Sequence, residues 1–463
     1  MLFNSLQFLV FFIIVTSAYY LLQSQRARVW LLLLASCYFY MSFVPKYILI
    51  LGFTIIIDYL AGLQIARSQG RARKNWLILS LVANIGILAH YKYLLFLLDN
   101  IGFVARWFNP TFHIPHIEIL LPIGLSFHTF QAMSYTIEVY RGHQQPERNF
   151  VVYALYVMFY PQLVAGPIER PQNVLHQFHE FKQYKWDNVK EGLARMLWGL
   201  FKKVVIADRL AMVVDYTFEN THSLAGWPLI VGAVFYSFQI YCDFSGYSDI
   251  GIGAAKVMGI RLMENFNQPY LSHNITTFWS RWHISLSTWF RDYLYIPLGG
   301  NRLGEARRKL NVFIVFLLSG LWHGANWTFV IWGALHGALV TLIPGSGKRS
   351  GKLFSPATLL FVVINFVLVT LCWVFFRSPN LAEALNYLQG MLTLQSGILK
   401  FGMKTAELWF AVVLIAILLW RESRLQGYFI RSNGKFAAYF TAMLLVCYFF
   451  GIFNENQFIY FQF

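Results

Sequence analysis

The sequence predicts an all-α protein that crosses a membrane many times, and three observations carry that reading. Of its 463 residues, 57% are hydrophobic and only 13% charged, about half the charged share of a soluble domain. That much apolar surface exceeds what an aqueous core hides, because single cores stop growing at roughly 250–300 residues. The apolar runs are long and unbroken, and hydrocarbon leaves backbone groups no water to bond, so only helices or closed barrels span it. Unbroken runs fit helices.

A span takes about 20 mostly apolar residues. In chain order the candidates are Leu6–Leu22, Trp30–Phe43, Tyr47–Leu63, Trp76–Leu98, Ile117–Val139, Phe150–Val164, Leu193–Ile206, Leu229–Tyr241 and a weak Ile250–Ile260. Val312–Leu321, Phe329–Ile343, Leu359–Phe376, Leu408–Leu419 and Phe436–Phe450 follow. Several are short, so the expectation is about 10–12 full crossings with re-entrant and interfacial helices around a central funnel. The whole chain, residues 1–463, reads as one membrane domain. No internal repeat, low-complexity segment or separate soluble domain stands out.

Met1–Leu22 lacks a basic leading region and a small-residue cleavage site, so it reads as a retained first span. Arg26 and Arg28 mark the first turn, and Arg67, Arg71, Arg73 and Lys74 the third. By the positive-inside rule these turns are cytoplasmic. The same rule applied to Lys348, Arg349, Lys352, Arg421, Arg424, Arg431 and Lys435 puts both termini outside the cytoplasm. The net charge of +16 is spread over such short loops, with no basic arm. It reports topology, and nucleic acid is not an expected partner. Cys37, Cys242, Cys372 and Cys447 sit in apolar stretches as small hydrophobes.

Ionisable residues within apolar surroundings are costly and mark candidate sites. The segment Ser319–Gly337, SGLWHGANWTFVIWGALHG, has basic flanks on both sides, Arg307–Lys309 and Lys348–Arg349. It therefore enters and returns on one face. A helix from Asn311 to Trp322 rises roughly 18 Å, which carries His323 to about mid-bilayer at the turn of a hairpin. Gly320, Gly324 and Ala325 permit a tight backbone there. With an unperturbed pKa near 6.5, His323 could serve as a general base. A neutral core histidine bonded to a backbone carbonyl fits depth and spacing equally well.

Glu264–Arg302 is dense in Trp, Arg and Tyr. At helical spacing Trp279, His283, Leu286 and Phe290 share one face, as in an interfacial anchor. His283 is the member that an anchor does not need. Asp243 and Asp249, in YCDFSGYSD, line a polar cavity or make structural hydrogen bonds, the second being slightly favoured. The aromatic ending FIYFQF suggests a chain end folded back into a groove, or an interfacial anchor, with Tyr460 as its polar member. No metal is expected, because neither His323 with His336 nor His273 with His283 has ligand spacing. No H-E-x-x-H motif, phosphate loop or serine elbow occurs.

The phrases WHGAN, RWHISLSTWFRDYLYIPLGGNR and FIYFQF resemble the membrane-bound O-acyltransferase family, in its bacterial branch that acetylates exported polysaccharides. LLPIGLSFHTFQAMSY, FYPQLVAGPIER, YCDFSGYSDIGIG and ENFNQPY match it too, in order, so the resemblance runs from Leu2 to Phe463. It implies that the family's signature histidine is His323, its second motif residue His283, and its acyl-carrying C-terminal tyrosine Tyr460. It also implies cytoplasmic acetyl-CoA as donor substrate, no permanently bound cofactor, and an extracytoplasmic partner transferase or polysaccharide acceptor. The expected location is the bacterial inner membrane, in contact with lipid. His323 would take the tyrosine proton, while His283 would orient substrate or donate to the thioester carbonyl. Trp322 and Asn326, beside the histidine, are candidates for donor or substrate binding. Arg281, Arg291 and Arg302 are candidates for the nucleotide phosphates. The competing readings are a polytopic transporter, for which paired interrupted spans are not evident, and a scaffold of an export complex.

Overall fold

The computed structural model describes residues 1–114, 119, 121–163, 166–343, 355–393, 401–424 and 427–453, and among them every regular element is helical. The chain packs as two compact units, Met1–Leu193 with Gly251–Met263, and Ala194–Ile250 with Glu264–Phe463.

The first unit holds α1 (Leu6–Leu21), α2 (Gln25–Met41), α3 (Tyr47–Arg67), α4 (Gly70–Leu88), α5 (Leu94–Phe108), α6 (Leu125–Arg141), α7 (Phe150–Met158), α8 (Tyr160–Leu163) and α9 (Pro171–His179). Helix α10 (Trp186–Leu200) begins there. A π-turn at Ala89–Tyr93 joins α4 and α5 into one 39-residue helical run. Polar side chains knit α3, α4 and α6: Ser80 Oγ and Asn84 Nδ2 donate to the Asp58 carboxylate at 2.6 and 2.9 Å. A buried carboxyl costs least where neighbouring helices satisfy it in this way.

In the second unit a π-helix, Phe201–Ala207, connects α10 to α11 (Asp208–Glu219). Next come α12 (Trp227–Val257, which passes into the first unit after Ile250), α13 (Ile275–Trp279) and α14 (Ile284–Phe290). The hairpin α15 (Glu305–His323) and α16 (Trp327–Leu342) follows. Four helices complete the unit: α17 (Pro356–Arg377), α18 (Leu381–Leu392), α19 (Thr405–Arg424) and α20 (Asn433–Phe450).

By length and composition five described helical runs suffice to cross a membrane: Tyr47–Arg67, Gly70–Phe108, Trp227–Val257, Pro356–Arg377 and Asn433–Phe450. Leu6–Leu21 and Trp327–Leu342 are shorter apolar helices. Several boundaries differ from the sequence expectation, each for a local reason. Leu229–Tyr241 and Ile250–Val257, the larger part of the expected Ile250–Ile260, are not two spans but parts of α12. The polar stretch between them stays helical because its side chains have partners: Asp243 with Lys203, Ser245 with Lys202, and Asp249 with Arg195 and Lys202. Helix α6 starts only at Leu125, after Pro122 and a left-handed Gly124 (φ +75°). The run from Phe150 breaks at Phe159 (ψ 111°), and α8 restarts with Pro161 in its first turn.

Candidate active site

The α15–α16 hairpin places His323 in the last turn of α15, joined to α16 through Gly324–Asn326. The two helices cross on glycine. A Cβ on Gly320 would lie 2.2 Å from the Phe329 carbonyl oxygen, and one on Gly333 would lie 2.4 Å from that of Phe316. Backbone-to-backbone contact of this kind is the close approach that small residues permit between membrane helices. His323 is buried, and its ring is walled by Trp322 (centroids 4.9 Å), Trp332 (5.1 Å) and Phe376 (5.3 Å).

His283 does not sit mid-helix, as its spacing suggested. The aromatic stretch divides into α13 and α14, and His283 caps α14 in the left-handed region (φ +44°). A non-glycine residue holds that conformation only where its surroundings dictate it, and here Asn265 does so. Its backbone carbonyl accepts the Ile284 N–H at 2.9 Å. Its Oδ1 accepts from Ser285 Oγ (2.9 Å) and Ser285 N (3.3 Å), and lies 3.1 Å from His283 Nδ1. The imidazole is fully buried, edge-on to Phe244 (4.8 Å). Burial pushes its pKa down to about 3, so the ring is neutral. It also faces Trp322 at 6.3 Å, so the His283 and His323 rings both pack on this one indole.

A third imidazole, which sequence reasoning set aside, completes this aromatic assembly. His336 on α16 accepts the Trp279 indole N–H at its Nδ1 (3.3 Å) and packs 4.9 Å from Trp332. An indole can only donate, so His336 is held with Nδ1 unprotonated. Trp332 in turn stacks on Trp373, whose N–H donates to Tyr270 Oη at 3.2 Å. The spacings Gly320/Gly324 and Gly333/Gly337 were the signal that could have paired α15 with α16 and so put His336 against Phe316, with Trp332 touching both His336 and His323.

A cavity of about 290 Å³ opens beside Trp279, lined on α15 by Val312, Val315, Phe316 and Ser319. That i, i+3, i+4, i+7 stripe continues one turn further to Trp322 and His323. Arg291 also lines the cavity, and its guanidinium pairs with Asp292 at 2.8 Å. Arg281 is half-buried, its backbone carbonyl accepting from Asn267, and Arg302 is exposed. Trp322 is buried and touches both histidine rings. Asn326 caps α16, accepting from the Thr328 N–H (3.0 Å) and donating to the Pro379 carbonyl (2.9 Å). Both its polar groups thus hold backbone. The structure therefore brings together His283, His323 and Trp322, leaves Arg302 at the surface, and gives Asn326 a capping role. Tyr460 lies outside the described residues.

Asp243 and Asp249 have structural partners. Asp249 binds Arg195 Nε (2.8 Å), Lys202 Nζ (2.7 Å) and Tyr428 Oη (3.1 Å), and Asp243 binds Lys203 Nζ (2.7 Å). These two consecutive lysines lie on the π-helix Phe201–Ala207, and both pair with acids of α12.

This fold and site define a helical, multi-pass membrane protein whose polar centre is a set of buried imidazoles walled by indole rings. A profile of the membrane-bound O-acyltransferase family matches residues 141–375, which include all three histidines. The probable alginate O-acetylase of Pseudomonas aeruginosa is 42% identical over 399 residues, covering 85% of this chain and 75% of its own. The peptidoglycan O-acetyltransferase of Helicobacter pylori is 39% identical, covering 85% and 80%. The teichoic acid D-alanyltransferase of Bacillus subtilis is 30% identical, over 56% and 69%. The chain belongs to the membrane-bound O-acyltransferase family and is an O-acyltransferase.

Proposed function

We propose that the protein takes acetyl from cytoplasmic acetyl-CoA and passes it through the inner membrane toward an exported polysaccharide, directly or by way of an extracytoplasmic partner transferase. The observation that carries this reading is the buried His323 at the head of the α15–α16 hairpin, one helical turn beyond a cavity that follows the same face of α15. The relatives' names, an alginate O-acetylase and a peptidoglycan O-acetyltransferase, support the acyl group and acceptor class. The basic start of α15, Arg307–Lys309, supports the cytoplasmic origin of the donor, with both chain termini on the opposite side.

The chemistry requires little beyond positioning. A hydroxyl oxygen attacks the thioester carbonyl carbon as His323 takes the hydroxyl proton. The C–S bond then breaks, and the departing thiolate receives that proton from the imidazolium. Tyr460 supplies the hydroxyl in the relay version, and its phenol, with a pKa near 10, needs such a base to attack. No permanently bound cofactor or metal takes part. Trp322 walls the passage, and Arg281, Arg291 and Arg302 attract the donor's phosphates, Arg302 the most freely because it is exposed.

The test is mass analysis of surface polysaccharide from cells carrying His323→Ala. We expect acetylation to fall by roughly 10²–10⁴-fold, the usual contribution of a general base, while the protein still inserts at normal abundance. Wild-type acetylation in that strain would refute the enzyme reading and favour a scaffold. Tyr460→Phe removes one oxygen, and undiminished transfer by that variant would remove the tyrosine relay alone.

A further inference from the structure

The contacts around Asn265 decide which nitrogen of His283 carries the proton. The Ser285 backbone N–H can only donate, and it lies 3.3 Å from one terminal atom of the Asn265 amide, so that atom is the oxygen. The Ser285 hydroxyl donates to the same oxygen at 2.9 Å, and the amide nitrogen faces Ser248 Oγ at 3.3 Å. With Oδ1 so placed, its 3.1 Å contact with His283 Nδ1 is attractive only if that ring nitrogen bears the hydrogen. A neutral imidazole has one N–H.

We infer that Asn265 is a positioning residue for acyl transfer: it holds His283 as the Nδ1–H tautomer, so that Nε2 accepts a hydrogen bond that orients the attacking hydroxyl, whose proton goes to His323, and does not donate to the thioester carbonyl. This rests on the reading of His283 as part of the transfer site, and it excludes the donor role that the sequence left open. The left-handed backbone at His283 belongs to the same device, since the Asn265 carbonyl takes the Ile284 N–H while its side chain takes the ring.

The rings that pack on His283 are aromatic and uncharged. Phe244 of α12 and Phe266 pack on the ring, and Trp322 of α15 faces it. The titratable groups of these elements include His323 next to Trp322, and Asp243 and Asp249 on α12, which are paired with Lys203, Lys202 and Arg195, with Tyr241, Cys242, Tyr247 and Lys256 on the same helix; Glu264 beside Asn265 is held by Arg195, and Glu305, Arg307, Arg308 and Lys309 stand at the far end of α15. Arg281, two residues upstream, is half-buried.

The experiment measures release of CoA thiol from acetyl-CoA by inverted membrane vesicles holding the full-length protein, from pH 4.5 to 9, against vesicles lacking it. Asn265→Asp places a carboxylate on Nδ1–H and stabilises the imidazolium, so an acid limb that lies below this range in wild type moves up into it. Asn265→Ala lowers kcat at least tenfold with KM for acetyl-CoA held. An active Asn265→Asp protein whose acid limb stays put, or an Asn265→Ala protein matching wild type, overturns the inference. A second readout needs no activity: ¹⁵N-histidine spectra of the protein in bilayers, in which the signal lost on His283→Gln identifies the residue. A protonated Nδ1 with bare Nε2 is expected, and a protonated Nε2 overturns the inference. Wild-type vesicles that release no thiol would strike the acetyl-CoA reading alone, and the spectra would still decide the tautomer.

Discussion

Arg195 separates two carboxylates that share its guanidinium but not their environment. Asp249 is 8% exposed and Glu264 is 59% exposed. Asp249→Asn keeps the shape and deletes the charge, which leaves Lys202 and Arg195, themselves nearly buried, without their common anion. Removing one partner of a buried pair costs about 3–5 kcal/mol, because an uncompensated charge remains. Glu264→Gln breaks a contact that looks stronger, since two nitrogens of Arg195 reach it. Its exposure nevertheless limits the cost to about 1 kcal/mol or less. At about 1 °C per kcal/mol for a chain of 463 residues, the unfolding midpoint falls roughly 3–5 °C for Asp249→Asn and no more than about 1 °C for Glu264→Gln. Tryptophan fluorescence of the detergent-solubilised protein reads both, and the double variant Asp249→Asn/Lys202→Met should recover part of the loss by removing an orphaned cation. Equal shifts for the two single variants would refute the claim that burial, and not contact geometry, sets the worth of these pairs.

Two further outcomes follow from the hairpin. Gly333→Ala puts a methyl 2.4 Å from the Phe316 carbonyl oxygen, so α15 and α16 must part at a cost of about 1–3 kcal/mol, with a matching loss of acyl transfer. Gly52→Ala in α3, where nothing lies within 4 Å, is the control and should leave both stability and transfer at wild-type values. Trp279→Phe deletes the N–H that His336 Nδ1 accepts, and should lower stability by about 0.5–1.5 kcal/mol in the same unfolding assay.

The helical, membrane-embedded character was legible because hydrophobicity over 20 residues is an additive property. The hairpin around His323 was legible because its two basic flanks fixed both ends. Where the reading went astray, long-range partners had overridden local pattern. A polar stretch such as Cys242–Asp249 reads as a break between spans, but Lys202, Lys203 and Arg195 keep it helical. Helical spacing put His283 on a face with Trp279, but Asn265, eighteen residues upstream, turns its backbone left-handed. Asn326 looked like a substrate ligand by its place beside the histidine, and its capping bonds give it a structural task.

The choice of asparagine at position 265 has an energetic logic. A carboxylate there would also set the His283 tautomer, as aspartate does in hydrolase triads. In a site this buried, however, an unpaired anion costs several kcal/mol. It would be neutralised most cheaply by holding His283 as an imidazolium, and an imidazolium cannot accept a proton. The neutral amide orients the ring without adding charge, and the resting site keeps an acceptor at Nε2. Burial pushes that ring down to about 3, so it orients the hydroxyl and leaves the proton to His323. An activated thioester tolerates a weak base if the attacking hydroxyl is held in line, because orientation alone is worth about 7–11 kcal/mol of barrier. The site should therefore depend more on the rigidity of its indole walls and glycine crossing than on the strength of its base.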